Sequence, residues 1–538
     1  MTMSEACGVP ADNDASELKD DAKATRKLRK KKLLPNDEVS DIEEAPPPPP
    51  TPPREDYDAV DDVDTDDLLE DADKVPPLRT VLKNKGRRGT KTSYKHKRRQ
   101  QQQQQRAKKE KKKEKKVPVY DPEQVKQLSS IYPDDYWHFH ADQDYCMIDA
   151  INEDNPLTLV PSNIEDQGAI TGMTLSTDGT LLATFSNIGS IKIWDVEDDF
   201  RPLRKLRDTK EPHIDEFYCG KFVSSLMVAG GKLKDRHRWS AVDEDSHILP
   251  CPIKIFDLET TSIVSKLEGH AEEILCIKSL TFKEKNYYIS TSQDGYIIKW
   301  HMEEDWTTLV QSTRMEDGIT CMAFTVSFVP NTGNKYFLAA CDGHLRIFDF
   351  EDAQLLQTFE DIYSSYCDCG KFVNWLDEAT YFSEEMKDEI VVDEDYAWFI
   401  SRGAEMCDIS DGVSSIPNTC TLHKLSYPNQ LGGQFKLEQV KKYQHEDYHS
   451  NSWLVKITSN GRYLLAPTIY GQVFVFNMLT GQATAVLKDH EDIEVRDTLF
   501  HPYRSLLFTS GDDGCVKVYT YKYLTNNMAE HDLVDVCM

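Results

Sequence analysis

Three constellations in this 538-residue sequence have residue types able to do chemistry. Cys367-Asp368-Cys369 and His138-Phe139-His140 offer thiolate and imidazole donors of the kind that hold zinc. Neither has further ligands at a spacing that completes a tetrahedral site, so no metal is predicted. The segment GKLKDRHRWS (231–240) sets Arg236 and Arg238 beside Trp239, a grouping suited to contact with a protein or a nucleic acid. There is no glycine-rich phosphate loop, no HExxH and no pair of CxxC motifs at zinc spacing. The residue types therefore predict a protein that binds macromolecules, is not an enzyme, and has no cofactor or small-molecule substrate.

Something must position these residues, and an internal repeat supplies it. Alternating apolar residues followed by an aromatic, often then Asp, recur as IKIWD (191–195), IKIFD (253–257), IIKWH (297–301), LRIFD (345–349), VFVFN (473–477) and VKVYT (516–520). A weaker seventh copy, CTLHK (420–424), has His423 in the aromatic place. The aromatic positions are 62, 44, 48, 75, 53 and 43 residues apart, and the shorter gaps equal one four-stranded blade of about 40–45 residues. Upstream of most copies a second strand ends in a tight turn with Gly before the next strand, as in YYISTSQDGY (287–296) and SLLFTSGDDGC (505–515).

Residues 267–301, LEGHAEEILCIKSLTFKEKNYYISTSQDGYIIKWH, resemble a WD repeat. The resemblance runs over about 365 residues and implies an all-β, seven-bladed β-propeller. It also implies a hydrogen-bonded chain within well-formed blades, carried by His270, Ser290, Asp294 and Trp300, and by His490, Thr509, Asp513 and Tyr519 in the last repeat. Elsewhere the pattern departs: Ile188 and Tyr470 stand in the Asp position, and Phe256, Phe348 and Phe476 replace Trp. An N-terminal strand often seals such a ring, and PLTLVP (156–161) is the candidate. Ahead of it, DPEQ (121–124) has the form of a helix start and predicts a short helix over 122–131. CGKFV occurs at 219–223 and again at 369–373, each on the inner strand of a blade with a long insertion, near 231–251 and 376–396.

Charge is segregated along the chain. Residues 1–78 hold 10 basic and 22 acidic residues, and residues 79–116 hold 18 and 2. From the total of −29 this leaves −33 on residues 117–538. Residues 1–120 change composition repeatedly, with a proline run at 46–50, 11 carboxylates in 55–73 and a low-complexity run of six glutamines at 100–105. None of these can bury enough apolar area to offset the entropy of ordering, which predicts a disordered arm. Lead-in residues 121–156, a propeller over 157–523 and a tail at 524–538 complete the division. Two basic clusters resemble nuclear-import signals: Arg26, Lys27, Arg29, Lys30, Lys31 and Lys32, and a longer one with Arg87, Arg88, Lys97, Arg98 and Arg99. The N-terminus lacks a secretory pattern, no apolar run spans a membrane, and the 13 scattered cysteines suit reduced thiols.

An acidic domain attracts basic partners. The expectation is a nuclear interaction scaffold, a subunit of a chromatin or transcription-regulating complex, that binds histone-like or ribosomal-protein-like basic segments. A nucleolar ribosome-assembly factor and a ubiquitin-ligase substrate receptor are the alternatives, the latter weakened by Glu197 where an Arg is usual. Nucleic acid would meet the basic arm. Aromatic anchors are expected at Tyr218, Tyr366, Trp398, Trp453 and Tyr470, with Arg236, Arg238 and Trp239 as a separate contact.

Overall fold

The computed structural model describes residues 156–520 except 212, 214, 241–244, 316–321, 386–394, 406–415, 429–432 and 453, together with residue 151 and five residues between 123 and 132. The arm and both basic clusters lie outside the described residues.

Strand formation follows from two-residue alternation. In Ile191–Asp195 the pattern buries both isoleucines and Trp194 and leaves Lys192 at the edge of solvent. Such strands assemble into seven four-stranded antiparallel sheets in chain order, each running from an inner strand on the ring axis to an outer one. Blades 1 to 7 occupy residues 170–206, 215–270, 274–315, 323–359, 367–444, 458–487 and 495–520. The recurring aromatic segment is the third strand of every blade.

Blade 7 supplies only three strands of its own. Its fourth is Thr158–Val160, which pairs antiparallel with Val516–Thr520 through Leu159 opposite Tyr519. This joins the two ends of the repeat and leaves no open sheet edge where the ring meets itself. The chain then stays close to blade 7, where Gly514 at φ 71° brings its backbone against Asp166; a Cβ there would stand 2.5 Å from the Asp166 carbonyl oxygen. The glycines at the other second-to-third turns are not all alike. Gly189, Gly295 and Gly471 also have positive φ, whereas Gly343 does not.

The core is divided among the blade interfaces. Each neighbouring pair of blades shares one apolar cluster, such as Phe282, Phe328, Phe337 and Phe350 between blades 3 and 4. Closure of the ring thus covers both faces of every blade. An eighth cluster, Tyr218, Leu275, Phe324 and Leu454, lies on the axis, with Met322 and Tyr366 packed against it.

Both long insertions fold. In blade 2 a hairpin of His237–Ser240 and Asp245–Ile248 stands between the second and third strands, and carries Arg238 and Trp239, whose side chains are not described. In blade 5 a helix, Glu378–Glu385, follows the inner strand. Ahead of the propeller, Glu123, Gln127, Leu128 and Ile131 are helical, and the Tyr132 hydroxyl donates to Asn331 Oδ1 of blade 4 at 3.2 Å. No helix among the described residues is long and apolar enough to cross a membrane.

Candidate functional site

In blade 3 the Trp300 indole N–H donates to Ser290 Oγ at 2.8 Å, and Ser290 Oγ lies 2.7 Å from His270 Nε2. His270 Nδ1 is 3.0 Å from Asp294 Oδ2. The indole is a donor only, so the serine hydroxyl donates on to Nε2, which leaves the Nδ1 proton for Asp294. Asp294 also accepts the Ala271 and Tyr296 amides, each at 2.9 Å. Burial pushes the Asp294 carboxyl up, but the His270 hydrogen bond and these amides outweigh it and hold it below the usual carboxylate range. All this lies inside the blade, where it fixes strand register and turn conformation and leaves no group facing a substrate.

Blade 7 repeats the arrangement with His490 Nε2 2.8 Å from Thr509 Oγ1 and Nδ1 2.8 Å from Asp513, while the Tyr519 hydroxyl turns to Asp489 at 2.8 Å. Blade 1 keeps the Trp194 to Thr184 bond at 3.1 Å, with Ile188 where Asp would stand.

Blade 5 contains a version that the sequence reading reached only through His423. There Ser401 Oγ lies 2.8 Å from His423 Nε2 and 2.9 Å from the Tyr363 hydroxyl. Ser401 pairs with Thr421, two residues before His423, just as Ser290 pairs with Ile298, two before Trp300. Tyr363 thus replaces His, His423 replaces Trp, and Glu405 receives the Ser364 amide at 3.3 Å as Asp294 receives that of Ala271. The signal in the sequence was the four-residue step from Ser401 to Glu405, the same as from Ser290 to Asp294.

The ring has two mouths. At the upper one, where the inner strands begin, Tyr218 and its apolar neighbours stop the channel. The Tyr218 hydroxyl donates to Glu216 at 3.2 Å. Lys232 bridges Glu216 at 3.2 Å and Glu273 at 3.3 Å, with its ammonium 6.0 Å from the centre of the Tyr218 ring. Across the mouth Arg496 grips Asp512 through two bonds of 2.8 and 2.7 Å and reaches Glu494 at 2.8 Å. Four carboxylates therefore face two cations. Glu273 Oε2 is buried with no hydrogen-bond donor among the described residues, and burial raises the pKa of Glu494 against the opposing pull of Arg496, the Ser452 side chain and Arg402. Beneath them Arg402, fully buried, pairs with Asp368 and donates to the Val455 and Ser452 carbonyls at 3.3 and 2.8 Å.

The expected partner-binding residues divide on this geometry. Tyr366 is half-buried, its ring stacked on Phe324 at 5.9 Å, and Tyr470 is 51% exposed on a turn of blade 6. Tyr218 is only 6% exposed and forms the floor of the mouth instead of a free anchor. Trp398 is not at a partner surface. It is buried against Trp375 and Phe382, with its indole N–H on Glu378 of the insertion helix at 2.9 Å. Arg236 is likewise occupied internally: it pairs with Glu272 and donates to the Ala271 carbonyl at 3.0 Å, pinning the base of the hairpin to the loop before blade 3. Trp453 lies outside the described residues. Cys367 and Cys369 are buried thiols that burial pushes up in pKa, and among the described residues no group of His, Cys, Asp and Glu could hold a metal.

The family model of the WD domain, G-beta repeat, matches residues 481–520. That span comprises the outer strand of blade 6 and the three strands of blade 7, with His490, Thr509, Asp513 and Tyr519 inside it. No curated protein matches the chain. Such propellers generally bind other proteins. Seven four-stranded blades and a ring closed by an N-terminal strand make the chain a seven-bladed β-propeller, and the match in its last blade supports a propeller of the WD-repeat type.

Proposed function

We propose that the chain is a nuclear interaction scaffold, a subunit of a chromatin or transcription-regulating assembly, that receives a basic peptide across its upper mouth. The observation that carries this reading is the surplus of acceptors there. Glu216, Glu273, Glu494 and Asp512 share Lys232 and Arg496, and the buried Glu273 Oε2 lacks a donor among the described residues. A Lys or Arg side chain supplies the missing donor, and Tyr366 and Tyr470 offer rings that exclude water around it. Charge attraction alone is unselective and screened within roughly 10 Å, so these aromatic contacts set the specificity. The basic clusters at Arg26–Lys32 and at Arg87–Arg99 support nuclear import.

The test is titration of the full chain with a histone-tail peptide and a scrambled peptide of equal charge. Selective binding of the first, weakened about tenfold in Glu273→Gln/Glu494→Gln, supports the reading. Equal binding of both peptides, lost alike by about 0.3 M salt, overturns it. A tagged chain lacking residues 1–116 should collect in the cytoplasm; retention in the nucleus would remove the import role of the basic clusters.

A further inference from the structure

Below the axial cluster of Tyr218, Leu275, Phe324 and Leu454, the channel carries charge of the opposite sign. It opens at the lower mouth, where the inner strands end. Lys221, Lys278, Lys371 and Lys456 line it, and Asp497 is the one carboxylate among its described lining residues. The lysines come from blades 2, 3, 5 and 6. Lys221, Lys278 and Lys371 stand on inner strands, whereas the Lys456 ammonium crosses to the Tyr218 and Thr171 carbonyls of blades 2 and 1.

This placement runs against composition, since residues 117–538 have a net charge of −33. Like charges gathered in a channel repel one another at a cost that rises as water is excluded. Lys456 is answered internally, by the Tyr218 carbonyl at 2.7 Å and Asp497 at 3.4 Å. Lys371 donates to the Thr458 hydroxyl at 3.4 Å, which brings no compensating charge. Lys221 and Lys371 are the same residue of the twice-occurring CGKFV. The glycine before each is fixed by packing: a Cβ on Gly220 would strike the Phe185 ring, and one on Gly370 the Phe399 ring. Both blades thus hold a lysine on the channel wall in the same local setting.

We propose that the lower channel binds a small, multiply phosphorylated molecule. Lysine is a compact point charge with three donors, suited to phosphate oxygens met from several directions, whereas a planar carboxylate is better matched by Arg. Ser327 and Thr458 in the wall add hydroxyl donors. The axial cluster blocks the far end, so a polypeptide or nucleic-acid strand cannot thread through. The site is independent of the peptide reading, which concerns the other mouth.

Calorimetric titration of the full chain with myo-inositol hexakisphosphate tests it, beside inorganic phosphate, tripolyphosphate and a peptide of residues 55–73. A one-to-one component weakened about tenfold or more in Lys221→Gln/Lys371→Gln supports the proposal. Lys278→Gln should weaken the same component, and it serves if the double variant melts early. Binding to the basic residues 79–116 would persist in these variants and is separated on that ground. Isotherms identical in wild type and all variants overturn the proposal. So does a lysine-dependent component seen with the acidic peptide and not with the phosphorylated probes, which would assign the channel to an acidic segment.

Discussion

In blade 3 the position two residues past the partner of Ser290 is a tryptophan; in blade 5 the position two past the partner of Ser401 is a histidine. Around each serine the same problem is solved, that of tying a third strand, a second strand and the preceding loop together inside a dry sheet. Blade 3 does it with a chain in which every member is paired, from Trp300 through Ser290 and His270 to Asp294. Blade 5 does it with Tyr363, Ser401 and His423, and leaves His423 Nδ1 buried without a partner among the described residues. The demand is for a polar bridge at a fixed register, and more than one set of residues meets it. A complete chain is rigid at neutral pH. One that buries an unpaired imidazole nitrogen carries a latent sensitivity to acid.

The sharpest way to break this comparison is to remove the central oxygen from each blade. Ser290→Ala strands the Trp300 N–H and His270 Nε2 together, and we expect a loss of about 2–4 kcal/mol, on the basis of about 1–3 per unsatisfied group. Ser401→Ala should cost less, about 1–3 kcal/mol, because the Tyr363 hydroxyl keeps its bond to Thr421. Chemical denaturation of both variants measures the difference; a larger loss in blade 5 would reverse the ranking. One step smaller, Asp294→Ala unpairs the His270 Nδ1 proton and two turn amides, but water reaches this part-exposed turn and holds the loss to about 1–3 kcal/mol. Asp342→Ala should cost less, since Phe348 stands in its blade where Trp would complete a chain. Equal melts for both Asp variants and wild type would mean that the chain contributes nothing to stability.

The same contrast marks what the sequence made legible. Strand alternation, turn glycines and the spacing of the aromatics gave the seven blades, because each is set by contacts within about 40 residues. Trp398 was misplaced because its burial depends on a helix inserted between two strands, and nothing local shows that Glu378 will fold back onto the indole. Lys254 was equally hidden. Alternation puts it on an outer face, yet it is fully buried, 2.6 Å from Asp215 and 2.9 Å from Asp208, carboxylates delivered by the strand and loop before blade 2's second strand. Of the channel lysines, only Lys221 and Lys371 stood out, through the repeated CGKFV. Lys278 and Lys456 look like solvated strand residues until the ring closes around them.

The smallest expected effect tests the acid sensitivity of blade 5. Burial pushes His423 down from its usual range to about 3. In the unfolded chain it titrates near 6.5, so as pH falls below that value the unfolded state takes up a proton that the native state refuses. The stability this group contributes is complete above about 6.5 and is lost progressively as pH drops toward about 3. Two other buried groups act in the opposite sense. Asp215 and Asp368 are pushed up to about 6, chiefly by burial, so the native state takes up protons first and gains stability as pH falls from there toward the normal Asp range. The wild-type profile alone therefore cannot isolate His423. The difference from His423→Gln can, because the carboxylates are common to both proteins and Gln retains a hydrogen-bonding group toward Ser401. Between pH 7 and pH 5.5 the stability gap should move in favour of the variant by about 1 kcal/mol, the integrated uptake of one proton by a group with pKa near 6.5. Thermal melts of the two proteins across that range read it as a shift of about 1 °C. A gap that stays constant with pH would place His423 in contact with a proton acceptor in solution, and blade 5 would then be as fully paired as blade 3.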